Sequence, residues 1–456
     1  MASSLRSSRL RRILVAYTIN RLGSWIGLIA LMVAVFDHTQ SALAVAGLLF
    51  VGEALPAFVV PVLVARVEAS RRRSELSALY AFEAVVTGAL AVLLWHFSLP
   101  AVLLLTALDG TAALVAASLL RAEVALVARR QVEAEMVGTT ERDERVDGEQ
   151  PGLLLVERVQ EGERKANAAL NIAFSASFVL GPVLGGALVA TAGAPTALFI
   201  DAASFLVCGA LLLGLHPHVE EAGGNSVRAR LRAAWRHINE APSLRRLFLA
   251  EAVALVFFES GGPIEVAYAK TTLHAGARGF GLLVTAWGAG AVLGSLVFAR
   301  LVRRPLVGML SAGTVAIGLG YVGFAIAPSL AFACAAALLG GVGNALQWPS
   351  LISIVQRLTP QHLHGRLMGA AESLRSLCLA LGLLLGGVLV VLSSPRWAFL
   401  VVGVGAVATT AAFLRLSLGG PSKPADGDRG PAAENVALAL DESVPHERQS
   451  RSRAPT

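Results

Sequence analysis

Residues 178–189 read FVLGPVLGGALV. The stretch is apolar enough for a core or a membrane, yet it carries Gly181, Pro182, Gly185 and Gly186. In water, glycine and proline weaken a helix interior. In lipid no hydrophobic force presses helices together, and close packing of small side chains takes its place. Gly181 and Gly185 are four residues apart and fall on one helix face. Gly186 and Ala187 widen that smooth face, and Pro182 removes one backbone hydrogen bond and bends the helix. The stretch reads as a membrane helix that lies close against a partner and shifts against it.

The rest of the chain agrees with a membrane setting. Its 456 residues are 55% hydrophobic and 15% charged, with a mean hydropathy of +0.66. A soluble protein carries about 25% charged residues. The charges cluster in short blocks between apolar runs, and a run of about 18 apolar residues marks a transmembrane helix. About twelve such runs are centred near Gly27, Leu55, Val86, Ala112, Val179, Phe205, Val256, Gly288, Gly318, Ala337, Leu381 and Val404. The expected fold class is an all-α polytopic membrane protein, with about twelve transmembrane helices in two six-helix halves.

Charge placement orients the chain. Arginine-rich blocks lie near residues 9–12, 66–73, 121–165, 228–246, 300–304 and 357–366, whereas the opposite loops carry only Lys270, Arg278 and Arg396. By the positive-inside rule both termini face the cytoplasm, which needs an even number of spans. The same rule accounts for a pI near 9.9 without nucleic acid as a partner. The first apolar run extends from about residue 13 to 36 with no small-residue cleavage site, so it reads as a retained helix rather than a signal peptide.

The expected organisation has five parts. Residues 1–12 form a cytoplasmic N-terminus, and 13–215 a six-helix half with a charged cytoplasmic insertion at 129–165. Residues 216–244 link the halves through a surface helix at 226–239, residues 245–418 form the second half, and 419–456 a disordered tail. LVARVEASRRR (63–73) and FARLVRRP (298–305) echo one another after the second and eighth spans, as in the repeated halves of secondary transporters.

Several function classes find no support. Cys208, Cys334 and Cys378 each sit inside an apolar run with no metal-ligand spacing and read as small buried hydrophobes. No HExxH and no GxxxxGK[ST] phosphate loop is present, so neither a metalloenzyme nor an intrinsic ATPase is expected, and no cofactor or metal is.

GPVLGG in the fifth span resembles the exporter motif of the major facilitator superfamily. ALFIDAASFLVCGALLLGL in the sixth span, FGLLVTAWGAGAVLGSL in the eighth and HGRLMGAAESL entering the eleventh resemble its drug and siderophore efflux branch, the macrolide-efflux-like and enterobactin-exporter-like proteins. The resemblance covers roughly residues 14–418. Two positions depart from it. The gating loop after the second span, usually Gly, then Asp-Arg, then basic residues, here has Val64, Glu68 and Ala69, followed by Arg72 and Arg73. The Gly-Asp pair usual in the first span is Gly23-Ser24.

A charge at the bilayer centre costs roughly 2.5–3.5 kcal/mol, so each one needs a reason. Arg21, Glu53, Asp109 and Glu259 lie mid-span in the first, second, fourth and seventh helices, which the resemblance places around a central cavity. The expectation is that Glu53, Asp109 or Glu259 carries protons and that Arg21 pairs with one of them. Asn20, Trp287, Asn344 and Gln347 are candidate substrate contacts. Glu83 is expected at the periphery, Asp201 as a structural cap of the sixth span, and Glu372 as a local partner of Arg375, three residues on.

The resemblance implies proton-coupled export of small amphipathic molecules by alternating access, an antiporter driven by the proton gradient. It also implies a monomer in a bacterial plasma (inner) membrane, whose partners are lipid and a small-molecule substrate. The alternatives are import, lysolipid flipping, or a non-transporting sensor or scaffold on the same fold.

Overall fold

A computed structural model describes residues 8–58, 76–140, 151–213, 242–301, 304–357 and 364–418. The gating-loop residues Glu68, Arg72 and Arg73, most of the inter-half linker, residues 141–150 of the insertion, and the tail lie outside them.

The described residues are helical throughout. The helices in chain order are α1 (Ser8–Thr39), α2 (Ala42–Phe58), α3 (Leu76–His96), α4 (Leu99–Thr140), α5 (Pro151–Ala192) and α6 (Ala194–Leu211). There follow α7 (Pro242–Glu259, continued as Gly261–Ala267 and Tyr268–Thr272), α8 (Gly276–Arg300) and α9 (Leu306–Ile326). The last three are α10 (Leu330–Arg357), α11 (His364–Leu392) and α12 (Pro395–Leu418). Eleven of these contain a stretch long and apolar enough to cross a membrane, and α2 is a shorter apolar helix where the described segment stops. Large apolar side chains such as Val85, Leu206, Leu249 and Leu392 point outward from the bundle. A surface of that kind suits lipid, not water, and the chain is a multi-pass membrane protein.

The two ends of the bundle differ. At the end away from the termini every connection is one to three residues long. The α5–α6 turn is the single residue Gly193 at φ +83, a conformation that a side chain would strain. At the end carrying the termini, α4 and α5 run on as helices of 42 residues each, about 63 Å at the helical rise, into the charged insertion.

The apolar core is forked. One cluster joins both halves at the far end and includes Val33, Phe36, Ile264, Phe280, Tyr321, Phe324 and Phe399. Towards the terminal end the core divides. Leu10, Ile13, Tyr80, Leu120 and Phe205 pack within the first half, and Leu247, Phe248, Leu310, Ile354 and Val355 within the second. The far end is further tied by an ion pair between Lys270 on α7 and Asp37 on α1. The halves thus share one core at one end and have separate cores at the other.

Candidate functional site

A cavity of about 520 Å³ lies at the fork, walled mainly by α1, α2, α3, α4 and α6 and reached by Arg375 and Leu379 of α11. A second cavity of about 200 Å³ lies against α7, α8 and α9. Trp25, Leu28, Leu49, Glu53 and Leu379 line both.

Local sequence explains how the charged groups arrive there. Helix α2 carries a single π-helical turn at Phe50–Ala54, with Glu53 inside it. Such one-residue insertions recur at functional sites. The turn is pressed onto α4, where a side chain in place of Gly110 would overlap the Gly52 carbonyl oxygen. This backbone approach sets Glu53 and the adjacent Asp109 on the wall of one cavity. Asp109 Oδ1 accepts from Thr87 Oγ1 at 3.1 Å. Glu53 lies within electrostatic reach of both Arg375 and Arg21.

Arg21 faces the same cavity, but among the described residues it makes no ion pair. Its guanidinium lies 5.6 Å from the Tyr17 ring centroid, and its Nε has no hydrogen-bond partner. Trp25 Nε1 and Thr106 Oγ1, also on the cavity wall, are buried without partners too. Buried polar atoms are almost always paired, so these three stand out on the cavity wall.

Glu259 lines the smaller cavity with Glu265, beneath Phe258, Trp287 and Tyr321. Trp287 lies 5.6 Å from Tyr321 and 5.9 Å from Phe258 between ring centroids, and the Tyr321 hydroxyl donates to the Phe258 carbonyl at 2.8 Å. Arg375 reaches Glu259 across the α7–α11 seam, Nη1 to Oε1 at 3.8 Å. The sequence reading paired Arg375 with Glu372, whose side chain is not among those described. The contact to Glu259 forms because Gly382 lets α11 settle directly on the backbone of α7.

Three further readings need correction. Glu83, expected at the periphery, is wholly buried and lines the larger cavity. Its helix turns Phe82 and Val85 outward and Tyr80, Glu83 and Thr87 inward. The spacing of those three polar residues, one helix face, was the signal available in the sequence. Asp201, expected as a cap, is the eighth residue of α6, because Gly193 and Pro195 start that helix earlier. Its carboxylate, partnered by Ser204 Oγ at 3.4 Å, fills a recess on α1 made by Gly23 and Gly27. A carboxylate therefore does reach the Gly23-Ser24 position, but from α6. Gln347, a candidate substrate contact, instead donates Nε2 to Glu251 Oε2 at 3.1 Å, and neither it nor Asn344 lines the two cavities. Asn20 lines the larger cavity and Trp287 the smaller.

The motif glycines divide between two neighbours. Gly181 and Gly185 pack on α1, at Trp25 and at the Ile26 backbone. Gly186, expected on the same face, turns to α8 of the other half, against Ala277 and Gly281. Pro182 sits inside a continuous helix, with its carbonyl oxygen close to Gly281.

Comparison with known proteins fits this architecture. The sequence profile of the Major Facilitator Superfamily matches residues 247–444. The multidrug efflux pump Tap of Mycobacterium tuberculosis is 29% identical over 265 residues, which is 55% of this chain and 61% of Tap. The uncharacterized MFS-type transporter YfiS of Bacillus subtilis is 26% identical over 256 residues, 53% of this chain and 60% of YfiS. These matches span less than two thirds of the relatives' length. The crystal structure of the nucleoside transporter NupG superposes with a TM-score of 0.66 at 11% identity, over 90% of this chain and 99% of NupG. At that identity the likeness speaks for the fold alone. The described helices share the fold of these transporters, and the second half of the chain is similar in sequence to the Major Facilitator Superfamily.

Proposed function

We propose that the chain is a secondary transporter that exports small amphipathic molecules by alternating access, with the proton gradient as its energy source. The forked core carries this reading. A bundle whose halves share a core at one end and not at the other, with a charged cavity at the fork, is built to rock about that cavity. A channel would need no such division, and an enzyme would need nucleophiles or acid–base groups gathered around a reacting bond. That Tap is an efflux pump supports the outward direction.

Glu53 is the residue through which coupling is best explained. It stands on the first half, within reach of Arg21 on its own half and of Arg375 on the other. Rocking the halves changes its distance to Arg375 alone, so its hold on a proton changes with the step. Asp109 and Glu259 are two further carboxylates with a cavity face, one held by Thr87 and the other facing Arg375.

The test is accumulation of dyes, antibiotics and siderophores in an efflux-deficient bacterium expressing the protein, with and without a protonophore. The expected result is lowered accumulation of at least one compound, restored by the protonophore and by Glu53→Gln. Unchanged accumulation across the panel, with the protein verified in the membrane, counts against export. Export that ignores the protonophore counts against proton coupling.

A further inference from the structure

Glu83 is a cavity-lining carboxylate that the transport reading does not use, and its surroundings are unlike those of Glu53, Asp109 and Glu259. It is 0% exposed, and among the described residues neither carboxyl oxygen has a hydrogen-bond partner. On its own helix it faces Tyr80 and Thr87, but the Thr87 hydroxyl is given to Asp109. From α4 it meets Asp109, from α6 Asp201 and the Tyr80 neighbour Cys208, and from α1 Arg21. Arg21 is the one cation in electrostatic reach, and it forms no ion pair among the described residues. Asp201 is turned to Ser204 and the recess on α1.

An ionised carboxylate in that position would have no donor to its oxygens and two like charges beside it. Burying such an ion costs several kcal/mol even after the protein relaxes. A positive charge is therefore missing at Glu83. Both oxygens are closed to a molecule the size of water, so an ammonium group or a hydrated metal ion does not fit there. A proton does.

We propose that Glu83 is a proton-binding site occluded inside the N-terminal half, carrying one proton in this conformation. The site deepens the transport reading and takes its purpose from it. A proton held out of contact with both solutions is the intermediate that coupled transport requires, and Asp109 and Arg21, which face the cavity, are the neighbours past which that proton exchanges. The balance is simple: one O–H bond forms at Glu83 as one is lost from a carboxylic acid or hydronium in the cavity.

The site is testable without any substrate. The full chain in lipid nanodiscs at neutral pH is transferred from water to heavy water and followed by infrared spectroscopy. A protonated-carboxyl stretch that shifts slowly is expected, because an occluded proton exchanges slowly. That band should move on labelling with isotope-substituted glutamate, stay put on labelling aspartate, disappear in Glu83→Gln and persist in Asp109→Asn. A wild-type spectrum without a slowly exchanging carboxyl band overturns the proposal, and so does a band that follows the aspartate label or survives Glu83→Gln. Where Glu83→Gln does not fold, Glu83→Asp decides the matter: the slow band should then follow the aspartate label, and a band that still follows the glutamate label overturns the proposal. A negative efflux panel would remove the transport reading and leave this result standing.

Discussion

Residues 181–186, GPVLGG, and 382–387, GLLLGG, occupy equivalent places in the two halves, on α5 and α11. In each, the first two glycines seat the helix on the opening helix of its own half: Gly181 and Gly185 on α1, Gly382 and Gly386 on α7. In each, the last glycine touches the other half, Gly186 at α8 and Gly387 at α2. What lies across the seam differs. Gly181 faces the Trp25 side chain, while Gly382 faces Glu259 and the Val256 carbonyl. The packing repeats and the chemistry does not. A duplicated scaffold seats both helices alike, and the two cavity walls are then free to diverge, with carboxylates on each of α2, α3, α4 and α6 in one and Glu259 and Glu265 beneath aromatic rings of α7, α8 and α9 in the other.

Substitutions along the two seams sharpen this. The largest effect is expected at Gly386, where any side chain would run into the Ser260 carbonyl oxygen, a backbone atom with nowhere to go. Gly386→Leu should cost about 3 kcal/mol or more, seen as loss of the monodisperse peak in size-exclusion chromatography. The matching Gly185→Leu meets Ile26 Cα at 3.1 Å and Ile29 Cβ at 3.2 Å, a softer neighbour, and should be tolerated better. If Gly185→Leu proved the more harmful, the seams would not be equivalent.

The cross-half glycines come next. At Gly186 a Cβ would lie 2.6 Å from the Ala277 carbonyl oxygen, and at Gly387 2.9 Å from Ala46 Cβ. Gly186→Leu and Gly387→Leu should each cost about 1–3 kcal/mol and leave the halves folded but pushed apart at the far end. Disulfide cross-linking between cysteines placed at Asp37 and Lys270 should fall in both. Equal cross-linking with and without the leucines would mean that the halves do not meet through these glycines.

The charged side of the α7–α11 seam should matter less for stability than for transport. The Arg375–Glu259 pair is partly exposed, at 35% and 16%, so screening limits it, and Arg375→Gln should lower stability by about 1 kcal/mol at most. A thermal melt measures that, and a protonophore-sensitive efflux assay should show the greater loss. Smallest of all is Lys270→Ala. Its pair with Asp37 is exposed on the Asp37 side, so the change should be under about 1 kcal/mol and should fade as salt is raised.

The helices were legible from the apolar runs, since a run of span length has few other uses, and the expected halves from the polar connector at 216–244 and the echoed arginine clusters. The charged residues were legible as conspicuous but not as placed. Arg21, Glu53 and Asp109 were assigned to a cavity by resemblance, and they line one. Glu83 was misread because the third span as a whole was expected at the periphery, whereas one of its faces turns to the cavity. Its alignment with Tyr80 and Thr87 was the weaker signal that did exist. Gln347 was misread for the opposite reason. Mid-span amides look like cargo ligands, yet the partner that satisfies this one, Glu251, lies 96 residues away in sequence on another helix. The π-helical turn at Phe50–Ala54 left no mark in residue type at all, since its cause is the backbone approach of Gly52 and Gly110.

That turn holds one more residue than the helix around it needs. A surplus residue in a helix behaves like a dislocation in a crystal: it can pass along the rod one step at a time, with each hydrogen bond traded for its neighbour and none lost for long. Every residue the dislocation passes is rotated by about 100° about the helix axis. Glu53 sits inside it. Its bearing can therefore be turned by a small rearrangement, with α2 neither bending nor breaking.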